Sequence, residues 1–209
     1  MNKIINDEQC TIIWHVDNLK MSHVDPDIVS RVLSVIHAEY GNIVKMIIMR
    51  GKIHKYLGMT IDYSSPDKYI LSVVDYIVNM VYAVPEYMKG GSATPASHHL
   101  FDIAEDAKLS QTNSDPFHHF LAQLLYLSKR ACPDIQLPVS LQCLMFIYPN
   151  TEDYRKLIMG MKYIQLTIGL KLILSIYKSG NIKCYGDEPF VVHKDMRGHN
   201  GGFMTTVTG

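Results

Sequence analysis

Between residues 114 and 169 the apolar side chains fall at helical spacing almost without interruption. Phe117, Phe120, Leu121, Leu124 and Leu127 share one helical face, and Tyr154, Leu157, Ile158, Met161, Ile164 and Ile168 share another. A period of 3.6 over such lengths is incompatible with strands, whose side chains alternate with period 2. This stretch must therefore be helices, broken at Pro133 and near Asn150 and ended at Gly169. It is also expected to be the most stable part of the chain.

Strand signals lie on either side. Residues 10–16 and 19–24 read as a hairpin around Asp17-Asn18, two residues that tolerate left-handed backbone. Asp25 N-caps a helix with Pro26 at its first position, Val29, Val32, Leu33, Ile36 and Tyr40 on its apolar side, and Gly41 as a left-handed terminator. Residues 43–49, 56–63 and 68–74 read as strands, and 76–84 as a short helix stopped by Pro85. Residues 85–113 read as loop. A hairpin of 170–177 with 181–185 around Ser179-Gly180, and a strand 202–207, complete the order. Strands and helices are segregated along the chain, which makes the fold class α+β.

Charge narrows the function. Lys and Arg number 20, Asp and Glu also 20, so the 209 residues carry no net charge and no chain-wide basic footprint for nucleic acid. Neutrality also predicts low solubility near pH 7. One local excess exists. Residues 150–183 hold Arg155, Lys156, Lys162, Lys171, Lys178 and Lys183 against Glu152 and Asp153, a local charge of +4. Cys10, Cys132, Cys143 and Cys184 form no Cys-x-x-Cys pair and read as buried thiols of a reducing compartment. No apolar leader begins the chain, and the apolar run 164–176 is interrupted by Gln165 and Lys171. The expectation is an intracellular protein, cytoplasmic or nuclear, not secreted and without membrane partners. His98-His99, His118-His119 and Cys132 lack zinc-ligand spacing, and neither a Walker loop nor a Gly-x-Ser-x-Gly elbow occurs. The 12 methionines read as adaptable core filler.

Six segments, in order, carry a resemblance. WHVDNLK resembles the Tyr-Val-Asp-Asp box of reverse transcriptases, with His15, Val16, Asp17 and Asn18 at its four positions. KYLGMTIDY at 55–63 looks like the Leu-Gly segment that follows that box in copia-type retrotransposon polymerases, and SATPA at 92–96 like their Thr-Pro element. FHHFLAQLLYLSKRACPDIQLPVS at 117–140 is similar to their Leu-Leu-Tyr-Leu…Arg-Pro-Asp-Ile block, with Cys132 in place of the arginine. YRKLIMGMKYIQLTIGLKL at 154–172 resembles the helix that follows. YGDEPFVVHKDMRGHNGGFM at 185–204 is similar to the opening of the adjoining RNase H domain.

The resemblance implies the C-terminal part of a reverse transcriptase running into the start of RNase H. Residues 1–74 would be a partial polymerase palm, 75–169 a helical thumb-like region, and 170–209 the first strands of an RNase H-like sheet. It implies Mg²⁺ as cofactor, with Asp17 and Asn18 at the polymerase position and Asp187 at the first RNase H position. Asp17 and Asp187 would be metal ligands, and Asp195 a structural turn residue. Arg155, Lys156 and Lys162 of the thumb-like helix would touch a primer–template. The sequence departs from the family at two points. Asn18 stands where a carboxylate is usual, and Asp7 and Glu8 are the only carboxylates ahead of Asp17, next to the hairpin's own first strand. Two-metal chemistry needs carboxylates from separate strands. The expectation is thus a truncated chain without catalysis of its own. A residual nucleic-acid-binding module, or a subunit completing its site with other polyprotein segments, are the alternatives.

Overall fold

The computed structural model describes residues 1–43, 45–102, 107–175, 182–187 and 201–205. The chain is mixed α+β and falls into two compact units, Met1–Leu57 and Gly58–Gly209.

The first unit opens with an antiparallel sheet in the order β1 (Asn2–Ile5), β2 (Glu8–His15), β3 (Asn18–Ser22). Sequence reading missed β1. Asn6 and Asp7 both adopt positive φ (53° and 61°), so they turn the chain by the left-handed route that matches strand twist. Register runs from Asn2 opposite Thr11 to Ile5 opposite Glu8. Helix α1 (Pro26–Tyr40) follows, and Asp25 caps it as expected by accepting from the Asp27 amide at 2.8 Å. His23 ties the helix start to the sheet. Its Nδ1 accepts from the Asp25 amide at 3.0 Å and its Nε2 donates to the Ile5 carbonyl at 3.2 Å. Ile28 is the buried anchor of α1, while Val29, Val32, Leu33 and Ile36 are half-buried and Tyr40 is exposed.

Two expectations fail here. Gly41 is right-handed (φ −65°), not left-handed, because its amide still donates to His37 and the chain coils on for another turn. The strand expected over 43–49 does not form in its described residues. Residues 45–50 have no regular structure, and Ile47, Ile48 and Met49 are exposed. β-branched residues make a strand only where a neighbour offers a ladder. The unit closes with β4 (Ile53–Tyr56).

The second unit starts at a tight turn. Leu57 (φ 49°) and Gly58 (φ 71°) split the expected 56–63 strand in two. Gly58 is required twice over, because a Cβ there would also lie 2.6 Å from the Tyr126 hydroxyl. Strands β5 (Met59–Asp62), β6 (Lys68–Ser72) and β7 (Leu172–Ser175) lie side by side in that order, all antiparallel. The expected pairing of 170–177 with 181–185 is therefore wrong. Leu172 faces Leu71 and Leu174 faces Tyr69, so β7 extends an existing half-buried apolar edge. The turn expected at Ser179-Gly180 lies outside the described residues.

Between β6 and β7 run α2 (Val74–Tyr82), a 3-10 turn at Glu86–Met88, α3 (Gln111–Ser128), a second 3-10 turn at Pro133–Ile135, α4 (Gln136–Leu144) and α5 (Thr151–Leu166). α3 packs against both α4 and α5. All five residues of its expected apolar face are buried, and so are Leu157, Met161 and Ile164 of α5. A capping box opens α5. Asn150 Oδ1 accepts from the Asp153 amide at 2.9 Å while the Asp153 carboxylate accepts from the Asn150 amide at 3.0 Å. Strands β8 (Lys183–Asp187) and β9 (Gly201–Thr205) form an antiparallel ribbon, exposed at nearly every position.

The thiols divide. Cys10 and Cys132 are buried as expected, and burial, with Asp134 nearby, pushes the Cys132 thiol up to about 11. Cys143 is half-buried and Cys184 is exposed on β8, against expectation, because that ribbon covers neither of its faces.

Candidate functional site

The β2–β3 hairpin carries the first candidate. His15 pairs with Asn18, so the two-residue tip is Val16-Asp17, one residue earlier than the sequence suggests. Asn18 is thereby the first residue of β3 and not a turn residue. Val16 sits at φ 52° and is 82% exposed. A β-branched residue in that region is strained, by about 1–2 kcal/mol. Two side chains brace the tip. Trp14 Nε1 donates to the Val16 carbonyl at 2.7 Å, and Asn18 Nδ2 donates to Asp17 Oδ1 at 2.7 Å. Replacing Val16 by glycine is expected to stabilise the first unit by about 1 kcal/mol in chemical denaturation. An unchanged or lowered midpoint would mean that the valine is held without strain.

Asp17 therefore stands at an exposed apex with an amide donor, not a second carboxylate, beside it. Asp7 is in the β1–β2 turn and Glu8 begins β2, so the length of the strand separates them from Asp17. At about 3.3 Å per residue that is roughly 25 Å. Asp25, bonded through His23 to Ile5, belongs to the same far end. Among the described residues no three His, Cys, Asp or Glu side chains converge as metal ligands.

Asp187 ends β8, opposite Gly201 of β9, and is exposed. The chain beyond it, including Asp195, lies outside the described residues.

The basic residues of α5 are engaged locally. Arg155 bonds Glu152 at 3.0 Å within the helix. Lys156 donates to the carbonyls of Leu100 (3.2 Å) and Asp102 (2.7 Å), which pins the chain ahead of α3. Lys162 lies half-buried beside Gly90. The histidines are likewise occupied: His99 pairs with Asp102 at 2.8 Å, and His118 Nε2 bonds the Phe146 carbonyl at 2.8 Å. Beside Lys156 a pocket of about 30 Å³, the room of one water, is lined by Phe101, Leu141, Gln142, Met145 and Asp153.

No helix among the described residues is long and apolar enough to cross a membrane. No family model matches the chain, and no solved structure matches it. The sequence is similar to the putative transposon Ty5-1 protein of Saccharomyces cerevisiae, with 26% identity over 205 residues. The match takes in 95% of this chain and 62% of that protein's length. It supports a transposon-derived sequence.

Proposed function

We propose that the chain is part of a copia-type retrotransposon reverse transcriptase, running from the polymerase hairpin into the start of an RNase H-like region, and that it does not polymerise by itself. One observation carries the reading: of the six family-like segments, five lie or begin on regular elements or the turns between them, in family order, and SATPA falls in the irregular stretch ahead of α3. WHVDNLK spans the β2–β3 tip, KYLGMTIDY the Leu57-Gly58 turn, and the 117–140 block runs from α3 into α4. The 154–172 segment lies on α5 and the start of β7, and YGDEPF begins on β8. The likeness to a transposon protein supports it.

The chemistry argues for lost polymerisation. Magnesium would supply Lewis acidity to the attacking and leaving oxygens, but only if carboxylates held two ions about 4 Å apart. The hairpin does not fit that pair. Asp17 is its single carboxylate, the Asn18 amide points a donor at it, and Asp7 and Glu8 lie at the opposite end of the sheet. A neutral Asn oxygen is also a weaker ligand for a hard cation.

The test is primer extension on an RNA template with Mg²⁺ or Mn²⁺, run beside a binding titration of the same template. The expected result is binding that weakens with salt, and extension equal to that of Asp17→Ala. Templated extension that Asp17→Ala abolishes would overturn the loss of activity. A folded chain with no affinity for the template would overturn the polymerase reading. A second reading is a subunit that completes its site with another polyprotein segment. Ile4 and Ile13, which lie exposed on the sheet, favour it.

A further inference from the structure

Of the cations that the sequence assigns to nucleic acid, Arg155 is bonded within α5, Lys156 to the loop ahead of α3, and Lys162 lies half-buried beside Gly90. A different segment presents its charge outward. Between Glu39 and Asp62 there is no acidic residue, and Lys45, Arg50, Lys52 and Lys55 all fall in that interval. Lys45, Arg50, Lys52 and Lys55 are exposed. At the centre is a turn built on Gly51, whose φ of 123° is open to glycine alone. His54 Nε2 closes on the Gly51 carbonyl at 2.8 Å, which holds Arg50 and Lys52 on either side of the bend. Arg50 donates one guanidinium nitrogen to Ser30 Oγ at 3.0 Å. That partner is neutral, so it anchors the turn to α1, and among the described residues no carboxylate is paired with Arg50.

A chain with zero net charge binds a polyanion only where its cations are gathered away from its carboxylates. We propose that the Arg50-Gly51-Lys52 turn, with Lys45 five residues ahead of it in the chain, is a contact for the sugar–phosphate backbone of a nucleic acid. The choice of nucleic acid rests on the polymerase reading above. An anionic membrane surface is the less favoured polyanion, because residues 45–52 form no helix with an apolar face to lie in a bilayer interface.

The test uses the full chain and a labelled RNA–DNA primer–template, with fluorescence anisotropy across a sodium chloride series. Each phosphate contact contributes roughly 0.7 to 0.9 to the slope of log affinity against log salt. Arg50→Gln with Lys52→Gln is expected to lower that slope by about 1.5 and to weaken binding at low salt. Lys45→Gln with Lys52→Gln keeps the Ser30 bond and is expected to do the same, which separates lost contact from a disturbed turn. Lys89→Gln with Lys129→Gln removes as much charge from the second unit and is expected to leave the slope unchanged. Steep binding by the parent chain with an unaltered slope in both turn variants would overturn this contact and leave the polymerase reading standing. An equal fall in the Lys89/Lys129 variant would overturn it too, by reducing the effect to overall charge. Absence of nucleic-acid binding would overturn both readings, and pelleting with phosphatidylserine vesicles in its place would reassign the turn to membranes.

Discussion

Phe117→Ala is expected to destabilise the second unit by about 3–5 kcal/mol. Phe117 has no exposed surface, and it stands on α3, the helix against which both α4 and α5 pack. Truncation removes most of a ring's transfer free energy and leaves a void. The buried side chains of a close-packed core relax only in part to close it. A domain is typically stable by only 5–15 kcal/mol, so the variant should lie near the threshold of folding. Urea denaturation followed by circular dichroism measures the loss. Leu125→Ala on the same helix, where the side chain is 37% exposed, is the control and should cost under about 1 kcal/mol. Equal losses at the two positions would refute α3 as the centre of the core.

The second large effect is alkaline. Tyr163 donates its hydroxyl to Asp134 at 2.6 Å; that bond, assisted by burial, pushes the phenol up to about 12. Tyr154 is raised as well, by burial and by its 2.7 Å hydrogen bond with Tyr87. An unfolded tyrosine titrates near 10. Below pH 10 the phenol is protonated in both states and its stabilisation is fully present. Between pH 10 and 12 the unfolded chain gives up the proton while the folded one keeps it, so stability falls. For Tyr163 the loss is on the order of 1–2 kcal/mol, trimmed because Asp134 is solvent-exposed. Tyr163→Phe should cost little at pH 7, where water can solvate Asp134, and should flatten the decline above pH 10. Denaturation midpoints at pH 8, 10 and 11.5 measure both. A decline in Tyr163→Phe as steep as in the parent chain would show that Tyr163 has no part in it.

The helical part of this fold is legible in the sequence because its information is local. Phe117, Phe120, Leu121, Leu124 and Leu127 announce a face by spacing alone, and Asp25-Pro26 announces a helix start by its own capping chemistry. Strand pairing is not local. Residues 43–49 have strand-like composition, yet those described find no ladder, and β7 joins β6 although the sequence places a Ser-Gly pair four residues after β7. The hairpin tip shows the same limit on a smaller scale. Asp17-Asn18 is the better turn pair, but the observed register sets Ile12 against Met21 and releases His23 to bridge Ile5 and Asp25. The His23–Ile5 bond, across 18 residues, is a long-range contact that the turn pair alone does not announce, and it accompanies the strain left at Val16. Asp17 was therefore found by motif, while the engagement of Lys156 by the Leu100 and Asp102 carbonyls has no sequence signature. The Arg50-Gly51-Lys52 turn was readable as a gap in acidic residues and was missed because the 150–183 excess is larger.

The pairing of β6 with β7 sets an order of events during synthesis. Lys68 meets Ser175, so about a hundred residues must leave the ribosome after β6 before its partner strand exists. At some 5–20 residues per second that is an interval of several seconds or more. Meanwhile α3, α4 and α5, whose contacts are short-range, have time to assemble first. β6 waits with an open edge until the finished helical block delivers β7. That edge is the stretch of the nascent chain most in need of a chaperone, and the last of the described sheet to be completed.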